Sequence, residues 1–234
     1  MDERRSSTMR GMTTESGRQW WFSRIEWRPE PGKNGGVARL CQDGYQRHQL
    51  IWRLFPGREA TEREFLYRAI DEGGVPGYYV VSSIPPQDSE GVWRIHSKPY
   101  APQLMTGERL RFSLRANPVV TRKNVRTGKN SRHDVVMDAK KRSNDVADMQ
   151  HVGAEWLRER AGHYGFEVDQ VAVDGYRQHR FQAGRKAHQV RFSSLDFDGW
   201  LIVTNPESLV TALMHGIGPA KGFGCGLLMV RRGG

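Results

Sequence analysis

The first half of the chain alternates between strand-like and helix-like spacing of its hydrophobic residues. Residues 20–27 (WWFSRIEW) and 91–100 (GVWRIHSKPY) are typical of strands, and residues 44–55 (GYQRHQLIWRLF) are typical of a helix that Pro56 ends. Residues 63–83 carry two apolar runs around the sequence GGVPG, which favours the turn of a hairpin. The pattern therefore predicts the order strand, helix, strand, strand, strand in this half.

The second half opens on a strand whose two faces differ in polarity. In RLRFSLRANP (109–118), apolar positions alternate with arginine and serine, which predicts one buried and one basic face. A helix is expected within residues 148–165 and a hairpin-like region over residues 180–203. NPESLVTALMHG (205–216) predicts another helix, because Asn can cap it, Pro suits its first position and Glu favours its first turn. Residues 226–230 (GLLMV) predict a final strand.

Residues 119–142 show no sustained period and are predicted to form a long mobile loop that becomes ordered on a polyanion. The stretch 109–142 contains eleven basic and two acidic residues. Basic side chains on a strand face and in the following loop can contact a phosphate backbone, although an ordinary solvated surface can have the same composition. The candidate phosphate contacts are Arg111, Arg115, Arg122 and Lys123.

Each half of the chain approximates the order β-α-β-β-(α)-β, with the second helix of the first half missing or very short. This order predicts an α+β fold of two tandem ferredoxin-like (RRM-like) βαββαβ domains, the first with a reduced second helix. We expect a disordered tail over residues 1–17, one domain over residues 18–103 and a second over residues 104–234.

The charge of the whole chain supports a polyanionic partner. It has 36 Lys and Arg against 26 Asp and Glu in 234 residues, a formal net charge of +10. This excess favours nucleic acid or an anionic membrane. No apolar stretch reaches the length of a membrane span and no signal-like segment follows the start, so we expect no membrane partner and a cytoplasmic location. The 2 cysteines exclude a disulfide framework and a cysteine-rich zinc site.

A glycine-rich loop, GIGPAKGFGCG (216–226), lies between the last predicted helix and strand. It matches neither the P-loop nor the dinucleotide-binding pattern, both of which place the glycines after a strand and before a helix. Its backbone N–H groups could line a concavity for phosphates, with Lys221 adding a positive charge. It could equally be a tight connection that needs positive φ angles. The candidate phosphate contacts are Gly216, Gly218, Lys221, Gly222 and Gly224.

Candidate catalytic residues lie on the first predicted helix. Tyr45 and His48 are three residues apart and so share one helix face, where a phenol and an imidazole could exchange protons with a ribose 2′-OH and a leaving 5′-oxygen. Arg53 lies near the same face and could stabilise charge on the phosphate. A Tyr–His pair at this spacing also occurs in ordinary packing. The histidines show no metal-ligand spacing and the carboxylates no cluster, so we expect no metal and no cofactor.

Three of these segments carry a family resemblance. GYQRHQLIWRLFPGREATEREFLY, LRFSLRANP and GIGPAKGFGCGLL resemble, in this order, the CasE family of CRISPR repeat-processing endoribonucleases from the subtype I-E Cascade complex. The resemblance implies two ferredoxin-like domains and metal-independent cleavage of the repeat stem-loop in precursor CRISPR RNA. It also implies attack by a 2′-OH, a 2′,3′-cyclic phosphate product, and an enzyme that stays on its product as a Cascade subunit.

The resemblance also assigns roles to residues. The catalytic histidine of the family corresponds to His48, its neighbouring tyrosine to Tyr45, and a basic residue that some members use to Arg53, which is not lysine here. The glycine-rich loop helps to hold RNA in such proteins. The turn AGRKAH supplies Arg185 and Lys186, similar to the basic hairpin beside the RNA stem in the family.

The expected partners are therefore the CRISPR repeat RNA stem-loop and crRNA, and the other Cascade subunits. One alternative is a non-catalytic RNA-binding subunit of a CRISPR ribonucleoprotein. Another is a DNA-binding or general RNA-binding protein without enzyme activity.

Overall fold

Strands and helices alternate along the chain in the computed structural model, which describes residues 18–28, 44–56, 64–70, 76–123, 125–143, 145–183 and 188–233. In chain order the elements are β1 (Trp21–Trp27), α1 (Gly44–Trp52), β2 (Phe65–Ile70), β3 (Gly77–Ser82), β4 (Trp93–Pro99), β5 (Arg109–Ala116), β6 (Val119–Lys123), β7 (Asn130–Asp134), α2 (Val135–Arg142), α3 (Val146–Ala161), β8 (Phe166–Ala183), β9 (His188–Val203), α4 (Pro206–His215) and β10 (Leu228–Arg232). No helix in these ranges is long and apolar enough to cross a membrane.

Two four-stranded antiparallel sheets share one topology. The first has the order β2-β3-β1-β4 and the second the order β10-β5-β9-β8. When the four strands of each sheet are numbered 1 to 4 along the chain, both sheets have the order 4-1-3-2 or its reverse. This is the ferredoxin-like arrangement. Residues 83–92, between β3 and β4, contain no helix. The predicted α+β class is thus confirmed, with the second helix absent from the first half.

The region predicted as a long mobile loop (119–142) is instead a hairpin followed by a helix, so that prediction was wrong. β6 pairs with β7, and Gly128, with φ of +66°, lies in their connection. The Asp134 carboxylate caps α2 by accepting hydrogen bonds from the backbone N–H groups of Val136 and Met137. The two strands have five residues each and most of their side chains are exposed, so they show no hydrophobic period.

Each half has its own hydrophobic core. In the first, Ile51 and Leu54 pack with Phe65 and Val80. In the second, α3 and α4 cover the apolar face of β5, whose alternation of buried and less buried residues follows the sequence pattern. The side chains of this core include Leu110, Phe112, Leu114, Leu157, Leu209 and Leu213. Burial of these apolar faces is the main force that holds each half together.

The two halves contact each other through apolar and ionic side chains. Leu66 and Val81 of the first sheet pack with Met214 and Leu227 of the second half. Nearby, the Arg68 guanidinium donates a hydrogen bond of 2.7 Å to the Ser113 hydroxyl and lies 3.9 Å from the Asp196 carboxylate. These contacts place α1 beside the glycine-rich loop.

Candidate active site

His48 is held at the contact between the two halves. Its Nδ1 lies 2.6 Å from the backbone oxygen of Gly222, and the buried Tyr67 hydroxyl donates to the same oxygen over 3.0 Å. A carbonyl oxygen only accepts hydrogen bonds, so Nδ1 must carry a proton in this contact. Nε2 is therefore the nitrogen at which His48 can take up or release a proton.

Aromatic rings fix the imidazole on two sides. The ring of Trp52, on the same helix, meets that of His48 edge-on with centroids 5.8 Å apart. The ring of Phe223, in the glycine-rich loop, lies 5.4 Å away at an angle of 40°. His48 is thus half-buried and held by both halves of the chain, which suits a side chain that must keep one orientation during proton transfer.

The glycine-rich loop owes its shape to close packing. Gly216 has φ of +78°, and a Cβ atom there would lie 2.9 Å from both the Gly226 oxygen and a Leu66 methyl carbon. The backbone N–H of Ile217 donates to the Gly226 oxygen over 2.9 Å, so the loop folds back on itself. This geometry supports the interpretation as a tight connection. RNA contact by this loop stays a prediction, since Gly216, Gly222 and Gly224 are buried.

Two glycines of the loop make a matched test of this packing. We expect Gly216→Ala to lower the free energy of unfolding by about 3 kcal/mol or more, because strained backbone costs about 1–3 kcal/mol and the methyl group would also clash. Gly218→Ala should cost only about 1–2 kcal/mol, since its φ of +74° is similar but its nearest neighbour, Trp156, is 3.6 Å away. Urea unfolding measures both values; equal losses would contradict a packing role for Gly216.

Of the other two candidate catalytic residues, the structure describes the side chain of Arg53 and not that of Tyr45. Tyr45 lies in α1, but only its backbone is described, so the predicted Tyr45–His48 side-chain pair lies outside the described residues. Arg53 follows the end of α1, and its guanidinium lies 3.3 Å from the Glu90 carboxylate in the β3–β4 connection. Both side chains of this pair are at least half exposed, so the ion pair contributes little stability.

The candidate RNA-binding residues of the second half occupy different environments. Arg111 and Lys123 are exposed, and Arg122 forms an exposed ion pair of 2.7 Å with Asp138. Arg115 is only 13% exposed and donates two hydrogen bonds to the Asp196 carboxylate, at 2.7 and 2.9 Å. Arg185 and Lys186 lie outside the described residues. Among the described residues, no group of three His, Cys, Asp or Glu side chains is placed to hold a metal ion.

Comparison with known proteins decides the family. A family model described as "CRISPR associated protein" matches residues 20–232. The chain is 30% identical over 204 residues to the CRISPR system Cascade subunit CasE of Escherichia coli, covering 82% of this chain and 94% of the relative.

This chain belongs to the CasE family of CRISPR-associated proteins.

A second relative and a solved structure agree with this assignment. The CRISPR-associated endoribonuclease Cse3 of Thermus thermophilus is 30% identical over 205 residues, covering 83% of this chain and 84% of the relative. A structure of Thermus thermophilus Cse3 bound to an RNA representing a pre-cleavage complex superposes with a TM-score of 0.68. It is 26% identical and covers 91% of this chain and 99% of that one. The resemblance found in the sequence is therefore confirmed.

Some residues at the site of this CasE-family chain had no signal in the sequence. The Gly222 carbonyl meets His48 and the Tyr67 hydroxyl only because the two halves fold together. Asp196 was likewise missed, since its pairing with Arg115 joins neighbouring strands from distant segments. The rings of Phe181 and Phe192 lie near Phe223. Their presence as aromatic residues in the predicted hairpin region was the one sequence signal that could have pointed to them.

Proposed function

We propose that this CasE-family protein is a metal-independent endoribonuclease that binds the stem-loop of a CRISPR repeat and cleaves precursor CRISPR RNA. The observation that carries the proposal is His48, fixed through Nδ1 on the Gly222 oxygen so that Nε2 can exchange a proton. The relatives named as an endoribonuclease and as a Cascade subunit support the same activity.

The proposed reaction needs two proton transfers and no metal. The 2′-oxygen forms a bond to the adjacent phosphorus while the bond from phosphorus to the 5′-oxygen breaks, which leaves a 2′,3′-cyclic phosphate and a 5′-hydroxyl. One side chain removes the proton of the 2′-OH and another gives a proton to the 5′-oxygen. We assign these transfers to His48, at Nε2, and to Tyr45, one helical turn before it. Arg53 is the proposed source of positive charge near the phosphate.

The RNA backbone is proposed to follow the exposed basic surface of the second half. Arg111 lies opposite Arg231 on β10 and Trp200 on β9, so a cation and an aromatic ring flank it on neighbouring strands. With Arg122, Lys123 and the hairpin residues Arg185 and Lys186, it would contact phosphates of the stem, which is recognised mainly by shape and backbone. The candidate loop residues, Lys221 included, would approach the RNA near His48.

Arg111 and Arg115 stand four residues apart on the same face of β5 and make a matched pair of variants. Arg111→Gln should weaken binding to repeat hairpin RNA and lower the salt slope by about one unit, with stability unchanged. Arg115→Gln should instead lower the free energy of unfolding by about 2 kcal/mol, because it removes a partner from the largely buried Asp196 carboxylate. Titrations at several salt concentrations and urea unfolding separate the two effects. A reduced salt slope with normal stability in the Arg115 variant would make Arg115 an RNA contact instead.

After cleavage the protein is proposed to keep the crRNA and to act as a Cascade subunit in the cytoplasm. We also propose the domain division of residues 18–103 and 104–234, which falls between β4 and β5.

The activity is tested by comparing three substrates: the repeat hairpin RNA of its own CRISPR locus, the DNA copy of that hairpin, and an unrelated RNA. We expect tight binding and a single cut for the hairpin RNA alone. Tight binding of the hairpin without cleavage would indicate a non-catalytic RNA-binding subunit. Similar affinity for all three would indicate a general nucleic-acid-binding protein.

A further inference from the structure

Three phenylalanine rings from separate segments meet beside His48. Phe181 lies on β8, Phe192 on β9 and Phe223 in the glycine-rich loop. The ring centroids of Phe192 and Phe223 are 5.4 Å apart in a stacked arrangement. Phe181 meets both rings nearly edge-on, at 6.1 Å from Phe192 and 5.0 Å from Phe223. We call Phe181, Phe192 and Phe223 the aromatic cluster.

The aromatic cluster is not part of the hydrophobic core. Its three rings are only partly buried, whereas Phe112 and Phe197 in the core of the same half are 2% and 0% exposed. One end of the cluster adjoins the imidazole of His48, through the 5.4 Å contact of Phe223. A partly exposed aromatic surface therefore lies directly beside the proposed proton-transfer group.

The surroundings of the aromatic cluster are positively charged. His179 stacks on Phe192 with centroids 4.5 Å apart, and its Nε2 lies 2.8 Å from the Ser194 hydroxyl. Burial lowers the pKa of His179, and the charges of Arg115, Arg47 and Arg177 lower it further. The lowered pKa favours the neutral imidazole, and His179 adds a fourth flat ring beside Phe192. Arg47 comes from α1 and Arg177 from β8, so positive charge approaches the cluster from two elements, while the charge of Arg115 is paired with Asp196.

Flat rings within a positively charged surface are the combination that binds unpaired nucleotides. Each base can stack on an aromatic side chain while the phosphates meet cationic side chains, and the stacking adds to the affinity. Double-stranded regions do not offer this contact, because their bases are already stacked within the helix.

We propose that the aromatic cluster stacks an unpaired nucleobase of the RNA next to the phosphate that is cleaved. The proposal rests on the proposed endoribonuclease function and adds a base-binding subsite to it. A base held there orients the adjoining ribose and phosphate relative to His48. Loss of stacking should therefore slow cleavage as well as weaken binding, since small errors in the placement of reacting groups lower the rate strongly.

A cycle of protein and RNA changes tests the subsite. Phe181→Leu keeps an apolar side chain but removes the ring, and an abasic nucleotide at each position flanking the cut removes the base. We expect Phe181→Leu to weaken binding of an uncleavable 2′-deoxy hairpin by about five- to tenfold. With RNA that is abasic at the stacked position, the same variant should bind within about twofold of wild type.

The control variant is Phe22→Leu. Phe22 is also partly buried and touches two aromatic rings, those of Tyr79 and Tyr100, but it lies on β1. For the Phe22→Leu variant, the ratio of the affinities for intact and abasic RNA should equal that of the wild-type protein. If Phe181→Leu weakened binding equally for intact RNA and for every abasic RNA, the ring would serve packing alone and the proposal would be overturned.

A second measurement needs no variant. A hairpin with 5-iodouridine at one flanking position and 2′-deoxyribose at the cut site is bound to wild-type protein and irradiated. Crosslinks at Phe181, Phe192 or Phe223 are expected, and crosslinks only elsewhere would overturn the proposal. Failure of wild type to bind or cut the hairpin would refute the proposed function itself, whereas normal cleavage without base dependence refutes the subsite alone.

Discussion

Replacing His48 with alanine should slow cleavage of repeat hairpin RNA by about 10²- to 10⁴-fold, the usual contribution of a general acid or base. The affinity for the RNA should change little, because the variant removes a proton-transfer group and no cationic phosphate contact. The rate is measured in single turnover with enzyme in excess, so that binding and product release do not enter. Tyr45→Phe should have a smaller effect, as expected for a helper residue.

His48→Gln separates proton transfer from positioning. A glutamine amide can still donate a hydrogen bond to the Gly222 oxygen, which Nδ1 of His48 meets at 2.6 Å, but it cannot exchange a proton near neutral pH. We therefore expect a cleavage rate as low as that of the alanine variant, with stability closer to wild type. Cleavage by His48→Gln within a few-fold of the wild-type rate would move the active site elsewhere.

Removing the nucleophile from the RNA should have the largest effect of all. A hairpin with a single 2′-deoxyribose immediately 5′ of the cut phosphate should bind with normal affinity and stay intact, because the oxygen that forms the new bond to phosphorus is missing. Gel-shift titration and a long single-turnover time course measure the two properties on the same RNA.

The control RNA carries the deoxyribose one nucleotide further from the cut. It should be cleaved at close to the normal rate, since the attacking 2′-OH is still present. Cleavage of the first RNA at its usual position would show that water or another group is the nucleophile, and the assignment of His48 and Tyr45 to 2′-OH chemistry would then be wrong.

The elements that the sequence predicted well are those with local signals. The Asn205 side chain caps α4 by accepting from the Ser208 backbone N–H, and Pro206 occupies the first turn, as the local sequence indicates. The alternation in β5 correctly separated a buried face from a polar one. Such signals need only neighbouring residues, so they predicted the order of helices and strands along the chain. That order is the one typical of ferredoxin-like folds.

The elements that were missed depend on distant partners. The hairpin of β6 and β7 has few buried side chains, so its pairing left no pattern in the hydrophobic residues. Arg115 has the same place in the alternation as Arg111, yet Asp196, eighty-one positions later, binds it. His48 was singled out by its spacing from Tyr45 and by the family resemblance. Only the folded chain shows that the Gly222 carbonyl, 174 positions away, determines which nitrogen of His48 carries the proton.

The chemical form of the cleaved ends tests the central claim most directly. Wild-type protein is incubated with the repeat hairpin RNA of its own CRISPR locus in EDTA, and the two fragments are identified by mass spectrometry. The account predicts one cut, with a 2′,3′-cyclic phosphate on the upstream fragment and a 5′-hydroxyl on the downstream fragment. RNA that stays intact in EDTA and is cut on addition of Mg²⁺ would contradict it, as would a product with 3′-hydroxyl and 5′-phosphate ends.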